Sequence, residues 1–144
     1  PEIINRLLSD DMRADVVAYL QDVTARLVAT QHADGYWDGR WPGDEADGPQ
    51  SANVDGPLGK DADRLLATGH ALEWWALAPP EVQPPEETVT RAGQWLCHRI
   101  PALTSSQIKS YYPFLTHAGR ALALWRGKFP HQVSLDTPLA VRSE

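Results

Sequence analysis

The chain contains 144 residues, of which 42% are apolar, and this length and composition suit one domain, 1–144, with a buried core. Its net charge of -6 argues against a duplex nucleic-acid partner or an anionic membrane surface, because both are bound by clustered Lys and Arg. The single cysteine excludes an internal disulfide and suits the reducing cytoplasm, where we expect the protein. No apolar run approaches the roughly 20 residues that span a bilayer, so we expect no membrane span.

The first periodic segment predicts a helix over 11–31. Its apolar residues recur at steps of three or four, which places them along one side of a helix. They are Val16, Val17, Leu20, Val23, Leu27 and Val28. Asp10 or Asp11 is the expected N-cap, and a turn at Asp34-Gly35 ends the helix.

Three further helices follow a long loop. Residues 38–59 hold five Gly and three Pro, and a loop of this length is usually functional or mobile. Its acidic residues miss the EF-hand spacing, so we interpret it as a solvated acidic insertion. Proline and glycine boundaries predict helices over 61–77, 86–100 and 113–126, and a short helix over 2–8 is also expected. No segment alternates as a strand does, so the predicted fold class is all-α.

Two of these helices resemble each other. HALEWWAL at 70–77 and HAGRALAL at 117–124 superpose at a separation of 47 residues, the length of a helical-hairpin repeat. The four main helices then form stacked antiparallel hairpins, in the order outer, inner, outer, inner. Their tryptophans are expected to pack between helices. They are Trp74, Trp75, Trp95 and Trp125. Trp74 and Tyr112 are also candidates for lining a ligand cavity, and Cys97 is expected to be a small buried residue.

A local motif gives this architecture a family resemblance. Gln31, Gly35 and Trp37 follow the pattern Gln-x-x-x-Gly-x-Trp, which ties a helix end to a turn. The motif resembles the QW repeat of terpene cyclases, and RLLATGHALEWWAL followed by TVTRAGQWLCHRI resembles the inner-then-outer helices of that superfamily and of protein prenyltransferase beta subunits. The resemblance covers about 12–127 and implies a partial α/α toroid. The ring would be completed by a missing segment of a longer chain or by a second copy, or else a shorter closed bundle would form.

The sequence departs from the catalytic apparatus of these families. Cyclases protonate a polyene with an Asp-x-Asp-Asp acid, whereas the nearest segment here, DADR at 61–64, ends in a guanidinium. A nearby cation favours ionised carboxylates, the wrong form for a general acid. Prenyltransferases use an Asp, Cys and His zinc set, but His117 has no Asp-x-Cys partner, and zinc needs at least three protein ligands. We therefore expect no metal and no cofactor.

A second resemblance singles out the inner helices. GHALEW and HAGRA are similar to segments of N-acylglucosamine 2-epimerases and cellobiose 2-epimerases, another α/α-toroid family. This resemblance implies that His70 and His117 face one cavity as base and acid beside a sugar carbonyl, a role that suits the pKa of His. Helical spacing places Glu73 beside His70 and Arg120 beside His117, where a carboxylate could orient an imidazole. These four residues are the catalytic candidates, and a structural network of the same residues is the alternative.

Three functions follow from these observations. The leading hypothesis is a cyclase- or prenyltransferase-like toroid domain that binds a small hydrophobic or glycan-like molecule in a cavity. The first alternative is an epimerase-like sugar isomerase. The second is a non-catalytic helical-repeat module whose concave face binds a protein. Whether the chain is an enzyme at all remains open at this point.

Overall fold

The computed structural model describes residues 8–38 and 60–128. It confirms the all-α class, because these residues form helices and two short 3₁₀ turns, and none of them lies in a strand. The helices are α1 (Asp10–Thr30), α2 (Lys60–Leu77), α3 (Glu86–Arg99), α4 (Ser105–Ser110) and α5 (Tyr112–Lys128), and the turns are Pro80–Val82 and Ile100–Ala102. Apart from Leu8 and Asp38, the helix predicted at 2–8 and the loop at 38–59 lie outside the described residues.

The N-terminus of α1 is capped by Ser9, and the prediction of Asp10 or Asp11 is wrong. The Ser9 hydroxyl accepts a hydrogen bond from the backbone N–H of Met12 at 3.4 Å. This contact satisfies one of the donors that the first helical turn leaves unpaired. Asp10 and Asp11 lie in that first turn, where the helix dipole favours negative charge. Ser9, Asp10 and Asp11 are all residue types that commonly cap helices. Apolar periodicity alone cannot distinguish between helix starts that differ by one residue.

The C-terminal part of the chain contains one helix more than predicted. Thr104 begins α4 with a capping box: its hydroxyl accepts from the N–H of Gln107 at 3.2 Å, and Gln107 Oε1 accepts from the N–H of Thr104 at 2.9 Å. The helix is too short for a periodic pattern to reveal it. α5 continues through Gly127 to Lys128 instead of closing at the glycine, because a helix tolerates a glycine in its last turn at a small cost.

α1 and α2 run in opposite directions. Trp75, near the end of α2, donates from its indole Nε1 to Thr24 Oγ1 of α1 at 3.1 Å. Trp37, which follows α1, donates its backbone N–H to Thr68 Oγ1, earlier in α2, at 3.2 Å. Trp37 follows Thr24 in the chain, whereas its partner Thr68 precedes Trp75. The two helices therefore run antiparallel, as in a hairpin.

α3 runs antiparallel to α2 as well. Arg99 at the end of α3 forms an ion pair with Asp61 at the start of α2. At the other end of the pair, Gln83, which precedes α3, donates to the backbone carbonyl of Trp75 at 2.7 Å. α1 and α3 therefore share one direction, and α2 opposes both.

α2 and α5 form the most extensive helix pair, and they run parallel. The helices approach most closely where Gly69 faces Ala118: a Cβ added to Gly69 would lie 2.9 Å from the backbone nitrogen of Ala118. Beyond this crossing, the indole Nε1 of Trp125 donates to the carbonyl of Leu72 at 2.8 Å. Both contacts advance toward the C-termini, which fixes the parallel direction. The directions of the four main helices therefore alternate along the chain, as in stacked antiparallel hairpins.

The core surrounds α2. Its largest fully buried apolar side chains are Trp75, Leu65, Leu72, Leu96 and Val82. Trp125 is also buried, and Trp74 and Trp95 pack partly buried against this core, as expected for the tryptophans. Cys97, in contrast, is exposed, so its predicted burial is wrong. It follows buried Leu96 by one residue, which rotates its side chain about 100° around α3 and away from the core.

Candidate functional site

Gln31, Gly35 and Trp37 join the end of α1 to the rest of the fold, and we call these three residues the clamp. Gln31 Nε2 donates to the carbonyls of Gly35 at 3.0 Å and Thr88 at 2.9 Å. Gln31 Oε1 accepts from Arg91 Nη2 at 2.7 Å. Gln31 therefore connects its own turn to α3.

Gly35 and Trp37 complete the clamp. Gly35 has φ of 101°, and a Cβ at this position would lie 2.3 Å from the carbonyl oxygen of Arg91. Trp37 is 4% exposed and donates from Nε1 to the carbonyl of Leu27, in the last turn of α1, at 2.8 Å. The indole thus adds a donor to a helix-end carbonyl that the Thr30 hydroxyl also reaches, at 3.2 Å. Because these polar groups bond to one another and to backbone, the clamp fastens the fold.

His70, Glu73, His117 and Arg120 lie together on α2 and α5, and we call these four residues the histidine cluster. His70 and His117 occupy equivalent positions of the 47-residue repeat. Because α2 and α5 are parallel, equivalent positions meet, and the two rings contact edge to face with centroids 4.3 Å apart and planes at 82°. All four catalytic candidates therefore share one site.

Glu73 is the centre of the histidine cluster. Its Oε2 accepts from His117 Nδ1 at 2.8 Å, and its Oε1 pairs with Arg120 Nη1 at 3.0 Å. The carboxylate was expected to orient His70 on its own helix, but its bond crosses to α5. The Glu73 side chain is 12% exposed, against 42% for His117, so the acceptor is more deeply buried than the ring it holds. An ionised carboxylate can only accept, so Nδ1 of His117 carries the proton and Nε2 is left to accept one.

The surroundings of His70 change its acidity. Its pKa is lowered from 6.5, first because the neighbouring helices remove part of the hydration of the ring, and then because a proton on His70 is repelled by one on His117. Glu73 acts in the opposite direction but does not reverse the shift. Although part of His70 is exposed, the ring is therefore held neutral at neutral pH.

The two cavity candidates lie in different surroundings. Trp74 is partly buried and its ring lies 6.0 Å from that of Trp75, whereas Tyr112 is 67% exposed. A shallow groove of about 380 Å³ lies elsewhere, between α1 and the 3₁₀ turn Pro80–Val82. Its apolar lining comprises Ala25, Val28, Val82 and Pro85. A cavity lined by Trp74 and Tyr112 stays a prediction.

In the cyclase-like segment at 61–64, Asp61 and Arg64 each form an ion pair with a residue outside the segment. Arg64 Nε donates to Asp38 at 2.8 Å, and this contact is the first reason that the pKa of Arg64 lies above its usual range. Asp61 pairs with Arg99. In the described part of the chain, no group of three or more His, Cys, Asp or Glu side chains is arranged to hold a metal ion.

Sequence reasoning missed two residues that position these sites. Gly69 allows the close crossing of α2 and α5 that brings His70 to His117. A glycine inside a helical pattern often marks such an approach, and this signal was present. Arg91 holds Gln31 in the clamp, and nothing in the spacing of the motif indicates a partner 60 residues away.

Comparisons with protein-family models, with curated proteins and with solved structures find no match for this chain. Among the described helices, none combines the length and the apolar character needed to cross a membrane. The function is therefore argued from the geometry of the clamp and the histidine cluster.

Proposed function

We propose that the chain is a domain of the terpenoid cyclase and prenyltransferase type of α/α toroid, and that it binds a small molecule at the histidine cluster. The observation that carries this proposal is the convergence of His70, Glu73, His117 and Arg120 from two parallel inner helices. A toroid of hairpins places its inner helices parallel around a central cavity, and ligand sites between helices are a common use of such an arrangement.

The clamp supports the same family type. Gln31 donates both to the Thr88 carbonyl of α3 and to the Gly35 carbonyl of its own turn, and Trp37 donates to the Leu27 carbonyl at the end of α1. These contacts explain why the three residues occur at this spacing, and they assign the motif a structural role. The clamp therefore supports the type of fold, and the chemistry is proposed only for the histidine cluster.

The proposed chemistry is proton transfer at His117. Glu73 fixes the ring orientation and directs the proton of the neutral imidazole to Nδ1, so Nε2 is the acceptor. Arg120 pairs with the other carboxylate oxygen and holds Glu73 in place. His70 stays neutral beside His117, so it does not compete as a cation for the same carboxylate. Together these groups supply a base whose tautomer is set before a ligand arrives.

The epimerase-like alternative is favoured by the meeting of two histidines. However, rings with centroids 4.3 Å apart leave no room for a sugar carbon between a base and an acid. Both histidines would have to act from the same side of the ligand. We therefore place the sugar isomerase second, and the protein-binding module third, since the charged centre of the cluster is more deeply buried than its rim.

Nuclear magnetic resonance of the imidazole Cε1–H groups tests the proposal directly. The protein is titrated separately with a short isoprenoid alcohol and with a neutral monosaccharide. We expect the isoprenoid to shift the His70 and His117 signals together, while His32 and His98, which lie outside the cluster, serve as internal references. A second sample carrying His117→Gln should lose binding and keep its helical circular dichroism.

The possible outcomes separate the hypotheses. Shifts caused only by the monosaccharide would support the isomerase and reject the isoprenoid ligand. If neither compound moves these signals at millimolar concentration, and His117→Gln lowers stability, the cluster is a structural network and the ligand-binding proposal fails.

A further inference from the structure

The N-terminal half of α1 carries an apolar stripe that its own fold leaves uncovered among the described residues. Met12, Val16 and Tyr19 follow one another at helical spacing and are 55%, 41% and 65% exposed. The same spacing leads to Val23, which packs partly buried against the core. We call Met12, Val16 and Tyr19 the α1 stripe. A continuous apolar stripe of this kind is typical of an interaction surface.

An acidic margin borders the α1 stripe. Asp11, Asp15 and Asp22 are exposed, and their spacing places them along one flank of the stripe. Asp22 pairs with Arg26 at 2.9 Å, so Asp11 and Asp15 give this flank its net charge. α1 as a whole contains four Asp and two Arg. A surface that covers the stripe therefore gains attraction if it is basic, and it meets repulsion if it is acidic.

The C-terminal part of the described chain has the complementary charge. Residues 100–128 include four Lys or Arg and no Asp or Glu. Along the exposed side of α5, Tyr112, Gly119, Ala123 and Arg126 share one face, and a side chain added at Gly119 would meet open space. We call these four residues the α5 face. It offers small residues against which bulky side chains can pack, one exposed aromatic ring and a basic margin.

We propose that the α1 stripe of one copy docks on the α5 face of a second copy, so that the protein associates head to tail. A basic partner would complement only the acidic margin of the α1 stripe, and an acidic partner would complement only the α5 face. A second copy of the chain complements both surfaces. The contact also continues the order of the fold, because an outer helix, α1, follows the inner helix α5. Such a heterologous interface produces a ring if its rotation closes and a filament if it does not. The proposal is independent of the ligand at the histidine cluster.

Charge-reversal variants of the whole chain test this interface in sedimentation equilibrium. The first variant carries Asp11→Lys and Asp15→Lys beside the α1 stripe. The second carries Lys109→Glu and Arg126→Glu, next to and within the α5 face. We expect the natural sequence to form oligomers whose dissociation constant rises at least about tenfold when ionic strength increases from about 0.1 M to about 1 M, where the Debye length falls to about 3 Å. Each variant alone should be monomeric, because both its surfaces now carry the same sign.

Mixing the two variants provides the decisive measurement. Each contact in the mixture again pairs opposite charges, so equimolar mixing should restore association to within about threefold of the natural sequence. A matched control, Glu81→Lys with Glu87→Lys, makes the same charge change away from the stripe and should associate normally. Two results overturn the proposal: a monomer at all concentrations and low salt, as expected if residues 1–7 of the same chain cover the stripe, or a mixture that stays monomeric.

Discussion

The clamp and the histidine cluster are both polar groups that join helices, but water reaches them to different degrees. In the clamp, Trp37 is 4% exposed and its indole Nε1 donates to the backbone carbonyl of Leu27. In the cluster, His117 is 42% exposed, and its bond ends on a side-chain carboxylate. Backbone partners fix geometry, whereas a titratable partner beside water leaves a nitrogen able to exchange protons. We therefore assign stability to the clamp, and the proposed proton transfer belongs to the cluster.

This difference also sets the expected cost of change. Substitutions in the clamp disturb backbone that cannot move, so they should destabilise the fold strongly. Substitutions in the cluster act on partly solvated ion pairs, which contribute less to stability. The following predictions test this contrast, beginning with the largest effect.

The largest loss of stability is expected for Gly35→Ala in the clamp. The backbone of Gly35 has φ of 101°, and its new Cβ would lie 2.3 Å from the carbonyl oxygen of Arg91. Strain and overlap together should lower the free energy of unfolding by about 3 kcal/mol or more in urea denaturation. Gly93→Ala is the matched control, because no atom lies within 4 Å of its Cβ. The control should raise stability by up to about 1 kcal/mol, as expected of alanine in a helix. Equal effects for both variants would contradict the assignment of the clamp.

The second effect concerns the helix crossing that creates the cluster. In Gly69→Ala, the Cβ would lie 2.9 Å from the backbone nitrogen of Ala118, so α2 and α5 must separate slightly. We expect a loss of about 2 kcal/mol, typical of overpacking, together with changed His70 and His117 resonances. Gly119→Ala, whose Cβ meets nothing within 4 Å, should leave both measurements unchanged or raise stability slightly. Unchanged histidine signals in Gly69→Ala would show that the crossing does not position the rings.

These two glycines also show how far the sequence alone could predict the fold. The turn at Gly35 was predicted, because Asp-Gly between two apolar segments has a known turn preference. The helix crossing at Gly69 was not, because a contact between α2 and α5 depends on how the intervening helices pack. For the same reason, the sequence identified the four residues of the histidine cluster but predicted their contacts only within each helix. The bond from Glu73 to His117 spans 44 residues and follows only from the parallel packing.

The ends of the helices show what local sequence signals can and cannot predict. Four of the main helices were predicted within about two residues of their observed ends, as apolar period and proline boundaries allow. The six-residue α4 was missed, since it lacks a periodic pattern and its only signal is the capping box of Thr104 and Gln107. The burial of single residues was harder to predict than the helix ends. Cys97 is exposed because a step of one residue along a helix turns the side chain to a different side.

A smaller effect is expected for Glu73→Gln in the cluster. The neutral amide loses the charge that holds Arg120 and His117, which should cost about 1 kcal/mol, less than either strained glycine variant. The informative readout is the ¹⁵N shift of His117. In the natural protein Nδ1 carries the proton, and the variant should show a mixture of tautomers. Glu87→Gln, at an 81% exposed side chain, is the control with no expected change. A His117 tautomer that is unaffected by Glu73→Gln would remove the basis for the proposed base.

The smallest effect is a pH dependence that distinguishes the cluster from the clamp. The pKa of His70 is lowered from 6.5 in the folded protein, so the unfolded chain binds more protons between the two pKa values. Stability from this group is therefore complete above about pH 6.5 and is lost as pH falls through the lowered pKa. In His70→Gln the decline in unfolding free energy between about pH 7 and pH 5 should become shallower, by less than about 1 kcal/mol, because the ring is partly solvated. Thr68 lies two residues before His70 and accepts from the backbone N–H of Trp37 in the clamp. Thr68→Val should lower stability equally at all these pH values, since it changes no titratable group. The contrast fails if the pH profile of His70→Gln runs parallel to that of the natural protein.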